Sequence, residues 1–212
     1  MATSDAKCQP HLDPEAWPGL LQNLAVEAIL VVISSWMGPK LRQHCSPEDL
    51  WQETLFYAWR DGSQHQWRGL AAYRRWILGI ARNRVREAVT QLKALKRGGG
   101  KLPKSLSFLQ EGAEEGVRAS DPLPPLSETP SRILSLRERR LSMEKALQRL
   151  PKEYEEALRL RLFEQLELKE VAKGLGVSLA TAKKRVYLGA ELYREALSEV
   201  LSQIPKERRE QE

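Results

Sequence analysis

The chain has 212 residues and a mass of 24.2 kDa, with 34 Lys and Arg against 28 Asp and Glu, a formal charge of +6 and a pI near 9.4. A hydrophobic content of 42% excludes wholesale disorder, and two cysteines exclude a disulfide scaffold and fit a reducing compartment. The most apolar run, residues 28–33, is too short for a bilayer, and Asp5, Asp13 and Glu15 around Lys7 do not read as a secretory signal. A cytoplasmic protein with no membrane insertion is expected.

Charge is segregated along the chain: residues 1–65 sum to −4, 66–110 to +10, 111–130 to −4 and 131–212 to +4. Such blocks point to faces with different partners. In the first block, apolar residues recur at helical steps over 20–36 and again over 47–60. Ser46-Pro47-Glu48-Asp49 supplies a capping serine, a proline at the first helical position and acids in the first turn. Asp49, Gln52, Glu53 and Phe56 then share one stripe, while Leu50, Leu55 and Ala58 face the core. The stripe suits docking on a basic protein surface or plain solvent exposure, and both carboxylates are expected to be exposed.

A third helix is predicted over 71–97, with Ile77, Ala81, Val85, Ala88 and Leu92 on its apolar side. Arg75, Arg82, Arg86, Lys93 and Arg97 fall on the opposite face. Trp67, Tyr73 and Trp76 are interleaved with Arg68 and Arg74, a pattern that suits single-stranded nucleic acid, where rings stack on bases and guanidiniums hold phosphates. Core packing is the competing reading for the tryptophans, above all Trp36, Trp51 and Trp59. Trp67, beside Arg68-Gly69, is the better stacking candidate.

Gly98-Gly99-Gly100 and the prolines at 122, 124, 125 and 130 enclose a stretch with no sustained apolar period. It reads as a flexible linker over 98–131 between a domain at 1–97 and a second at 132–212. Beyond it, 142–150 and 153–165 are expected to be helical, with Pro151 opening the second. No segment alternates with period two, so the fold class is all-α: two small helical domains.

Residues 168–175 form a short amphipathic helix, Gly176-Val177-Ser178 a tight turn with a serine cap, and 181–197 a second helix. Ala172 lets the two cross closely, and Val177 and Val186 fill the angle between them. This is a helix-turn-helix, C-terminal in the chain, whose second helix offers Thr181, Lys183, Lys184 and Arg185 to a major groove. An ordinary helical hairpin with a solvated basic face ranks below it.

Glu48-Asp49-Leu50-Trp51-Gln52-Glu53-Thr54-Leu55, Ala58-Trp59-Arg60 and the run from Tyr73 to Asn83 together resemble region 2 of a bacterial RNA polymerase sigma factor of the extracytoplasmic-function group in the sigma-70 family. Ala146-Leu147-Gln148-Arg149-Leu150-Pro151 and the helix-turn-helix resemble region 4 of the same group. The resemblance implies transcription initiation without catalysis. RNA polymerase core, through the clamp helices of its largest subunit, would bind Asp49, Leu50, Gln52 and Glu53. The −10 element of promoter DNA would be recognised and melted by Trp67, Arg74, Arg75, Arg82, Asn83 and Arg86. The −35 element would be read by Ser178, Thr181, Lys183, Lys184 and Arg185. An anti-sigma factor is admitted as a further partner, and no cofactor or metal is implied.

The chain departs from the family at Leu188, Gly189 and Ala190, where further arginines are common, and Gly189 is expected to weaken the helix. A DNA-binding regulator without stable polymerase association is the alternative, and it would not need the stripe on 47–60. A recombinase-like enzyme fits worst, because no nucleophile-and-base grouping precedes the linker. Cys8 and His11 with His44-Cys45 have ligand-like spacing, but nothing in the sequence makes the four converge.

Overall fold

In the computed structural model the described residues are 9–98 and 130–203, with side chains over 9–94 and 134–203; among them the only regular structure is helical. The fold is all-α, as expected. Most of the expected linker, 99–129, lies outside the described residues, as does Cys8. The chain divides into two compact units, Met1–Ala25 with Ile33–Ser127 and Val26–Val32 with Glu128–Glu212. No single described helix is long and apolar enough to cross a membrane.

The helix expected over 20–36 is two helices, α1 (Trp17–Asn23) and α2 (Val26–Trp36). Between them Ala25 adopts a left-handed φ of +52°, a conformation that costs a residue with a Cβ about 1–2 kcal/mol. Apolar periodicity alone does not reveal such a break, because Leu24 and Val26 are buried on either side of it.

In the first unit a short helix α3 (Pro39–Arg42) leads to α4 (Pro47–Arg60), a 3-10 turn (Gly62–Gln64) and the long α5 (Leu70–Gly98). The start of α4 is a complete capping box: Asp49 N–H donates to Ser46 Oγ at 3.1 Å, and Ser46 N–H donates to the Asp49 carboxylate at 2.8 Å. Leu50, Trp51, Thr54, Leu55 and Ala58 turn inward from α4. They belong to the core that also takes Tyr73, Ile77, Leu78, Ala81 and Val85 of α5. Of the stripe expected on α5, Ala88 and Leu92 are half-buried.

The second unit contains α6 (Pro130–Gln148), α7 (Lys152–Leu158) continuing into a π-type turn (Arg159–Phe163), α8 (Leu168–Leu175) and α9 (Leu179–Ser202). Helix α6 starts well before the expected 142. The charged run 137–140 interrupts its apolar pattern, yet Leu136 and Arg140 are buried, the latter paired with Glu144 at 3.0 Å. Helix α9 packs on α6, α7 and α8.

The turn between α8 and α9 follows expectation. Gly176 takes a φ of +64°; its N–H bonds the Lys173 carbonyl at 3.3 Å and the Val177 N–H bonds that of Ala172 at 3.0 Å. This paired closure of a helix end needs the left-handed glycine. Val171, Ala172 and Ala182 form the core of the crossing, with Val177 and Val186 packed against it.

Candidate nucleic-acid interface

On α4, the helical period that brings residues 50, 51, 54, 55 and 58 inward leaves Asp49 exposed and Gln52, Glu53 and Phe56 half-buried. Leu50, grouped by the resemblance with a polymerase-contacting set, is only 1% exposed and packs in the core. Glu53 is less exposed than expected. Burial raises its carboxyl pKa; the Arg84 guanidinium opposes this, and Asp49 and Glu87 add to it. Burial, Asp49 and Glu53 push the Cys45 thiol up to about 11. The first turns of α4 thus form a locally acidic, partly desolvated surface. Arg84 borders it, pairing with Glu87 and lying 3.7 Å over the Tyr57 ring.

Along α5 the residues expected on one basic face divide by depth. Arg75, Arg82, Asn83, Arg86 and Lys93 are exposed, and Arg82 also lies 5.3 Å over the ring of Trp36. The Arg97 side chain lies outside the described residues. Arg74 is half-buried, with Nε and one terminal nitrogen shielded and unpartnered, and burial lowers its pKa. A guanidinium held in that state is costly until an acceptor reaches it.

Trp67 is half-buried, not free in a loop. Its ring stacks on His11 at 5.6 Å and 15° and lies 5.5 Å from Tyr73, while His65 stacks on Trp76 at 4.6 Å. Burial, followed by His11 and Arg68, lowers the pKa of His65. The spacing that set His11 beside Cys8 as a metal pair misses its place: the His11 ring is fully buried, with Nε2 3.2 Å from the Gly62 carbonyl and 3.0 Å from that of His65. His44 is exposed. Among the described residues no three His, Cys, Asp or Glu gather as metal ligands would.

In the helix-turn-helix, Ser178 caps α9: its Oγ accepts from Thr181 N–H at 3.1 Å and lies 2.8 Å from the Thr181 hydroxyl. Lys183 and Lys184 are exposed, but Arg185 is half-buried and paired with Glu153 at 3.0 Å. Tyr187, absent from the expected set, is 68% exposed one turn beyond the lysines. Gly189 is buried, so the position is not a surface arginine site. A Cβ there would lie 3.1 Å from Leu158 Cγ and 3.2 Å from Tyr154 Cβ, so the glycine permits the close approach of α9 to α7.

Residues 140–191, from α6 into α9, match the family model for sigma-70, region 4. That segment supports sigma-70 family character and a DNA-binding role in transcription initiation. No curated protein matches the chain.

Proposed function

We propose that the chain is a sigma factor of the extracytoplasmic-function group, a non-catalytic cytoplasmic protein that binds RNA polymerase core and directs it to promoters. The region 4 match over 140–191 is the observation that carries this reading. In it, the first turns of α9 enter the major groove at the −35 element. Lys183 and Lys184 lie free on the surface for the DNA, and Ser178 with Thr181 sets the start of the helix.

Two features of the first unit support the rest. The acidic stripe of Asp49, Gln52 and Glu53 suits a basic protein surface better than water, because docking supplies counter-charge to the Glu53 carboxylate, whose charged form burial disfavours. Leu50 keeps that stripe in place from beneath. On α5, exposed Arg75, Arg82 and Arg86 with Asn83 offer phosphate and base contacts at a melted −10 element, Arg74 brings an unpaired guanidinium, and Trp67 offers a ring for stacking.

A regulator that binds DNA without polymerase is the second reading, favoured by the confinement of the family match to residues 140–191 of the second unit. Run-off transcription with purified core polymerase separates the two. Promoter-specific transcripts that require the protein, and that are lost with Asp49→Ala/Glu53→Ala, establish the sigma reading. Tight promoter binding by free protein with no stimulation of core establishes the regulator.

A further inference from the structure

We infer that His11, which precedes α1, is the positioning residue for the promoter-reading loop between α4 and α5. The inference rests on the proposal that Trp67 meets the opened −10 strand. Apart from its ring contacts and the Arg68–Gln66 bonds, the loop has one 3-10 turn and then an irregular run to Gly69, whose φ is +89°. His11 supplies what the loop lacks. Its Nε2 is within hydrogen-bond distance of two loop carbonyls, those of Gly62 at 3.2 Å and His65 at 3.0 Å. With Nε2 protonated it is a single N–H donor serving both ends of the turn.

The same ring then forms the floor under Trp67, nearly parallel at 15°, and lies 5.4 Å from the buried Tyr73. Leu12 closes the arrangement from the side: a Cβ on buried Gly62 would lie 3.2 Å from its Cδ2. One imidazole therefore fixes both the backbone of the turn and the plane of the indole. Stacking on a base depends on that plane, since ring–ring attraction falls away when the faces are not aligned. Binding to core polymerase through α4 does not depend on it.

The test uses full-length protein in holoenzyme and a DNA single strand of roughly 12 nucleotides, selected by the wild-type holoenzyme from a random pool. His11→Phe keeps a stacking ring and removes the donor; His11→Gln restores an N–H at similar reach. Affinities are referred to the fraction competent for core, so a variant that folds incompletely is still scored. Strand affinity should fall roughly five- to tenfold in His11→Phe and largely recover in His11→Gln, with competition for core and binding to −35 duplex unchanged. Wild-type strand binding by His11→Phe, beside a Trp67→Ala variant that has lost it, overturns the inference and leaves the sigma reading standing. So does an equal loss of strand and core binding in both His11 variants, which marks a merely structural residue. If Trp67→Ala itself binds the strand normally, the loop does not read it, and the −10 assignment falls together with the inference.

Discussion

The closest helix approaches in the second unit are made at small residues. Ala172 and Ala182 sit at the crossing of α8 and α9, and Gly189 sits where α9 meets α7. The loop between α4 and α5 is held by rings instead: His11, His65, Trp67, Tyr73 and Trp76, all within about 6 Å of a neighbour by their centroids. Small residues bring backbones together and leave the outward side chains, Lys183, Lys184 and Tyr187, clear of the packing. Large rings do the reverse, so that Trp67 and Arg74 belong partly to the core and partly to the surface. Substitutions should therefore separate folding from DNA binding cleanly in α9 and poorly around the loop.

The most severe test of that contrast is Tyr73, fully buried among the rings with a hydroxyl that has no partner. Tyr73→Ala should cost about 3–5 kcal/mol and remove −10 strand binding with it. Tyr73→Phe should be neutral or slightly stabilising, because it deletes a buried polar atom that makes no bond. All six tryptophans lie between residues 17 and 76, so their fluorescence in a urea titration reports the first unit without the second. A destabilised Tyr73→Phe would show that the hydroxyl is bonded after all.

In the second unit, Gly189→Leu should cost about 1–3 kcal/mol by driving a side chain into Leu158 and Tyr154. Lys183→Ala and Lys184→Ala should each stay within about 0.5 kcal/mol of the parent while lowering the salt dependence of DNA binding by about one phosphate apiece. Denaturation followed by circular dichroism, paired with a salt series, checks both. A lysine variant that unfolds early would break the separation proposed for α9.

A smaller effect is expected at the cap. Ser178→Ala frees the Thr181 N–H and should cost about 1 kcal/mol, with Ser178→Asp recovering most of it. Thermal melts of the three proteins decide this.

The smallest shift belongs to Glu53. Its carboxyl pKa is raised in the folded protein above the ordinary 4.5, so the folded state holds the proton more tightly than the unfolded one. The stabilisation this brings is fully present below about 4.5 and is lost as pH rises through the folded value. Glu53→Gln should therefore melt slightly higher than the parent at neutral pH, and the difference should close as pH falls to 4.5. A constant difference across that range would mean that burial does not set the shift.

These contrasts also explain what could be read from the residues alone. The helix-turn-helix was legible because its signals are local: a left-handed glycine, a serine cap and a basic start all lie within ten residues. The capping box of α4 was half legible; Ser46 announced itself, while the reciprocal bond from Asp49 looked like surface charge. The aromatic floor under Trp67 was not legible, since His11 meets Gly62 and His65 across more than fifty positions. The pairing of Arg185 was not legible for the same reason: its spacing puts it at the basic start of α9, and its partner Glu153 lies on another helix. Gly189 looked like a weak point in a helix and is a contact.

Helix α5 runs for 29 residues, about 43 Å at the rise of an α-helix. The exposed cations Arg75, Arg82, Arg86 and Lys93 span roughly 27 Å of it. Cationic marks fixed along a rod at unequal intervals make a graduated scale, so a nucleic acid docked on this face as proposed would be measured as well as held. Inserting residues into the rod would change the ruler and leave its charge unaltered.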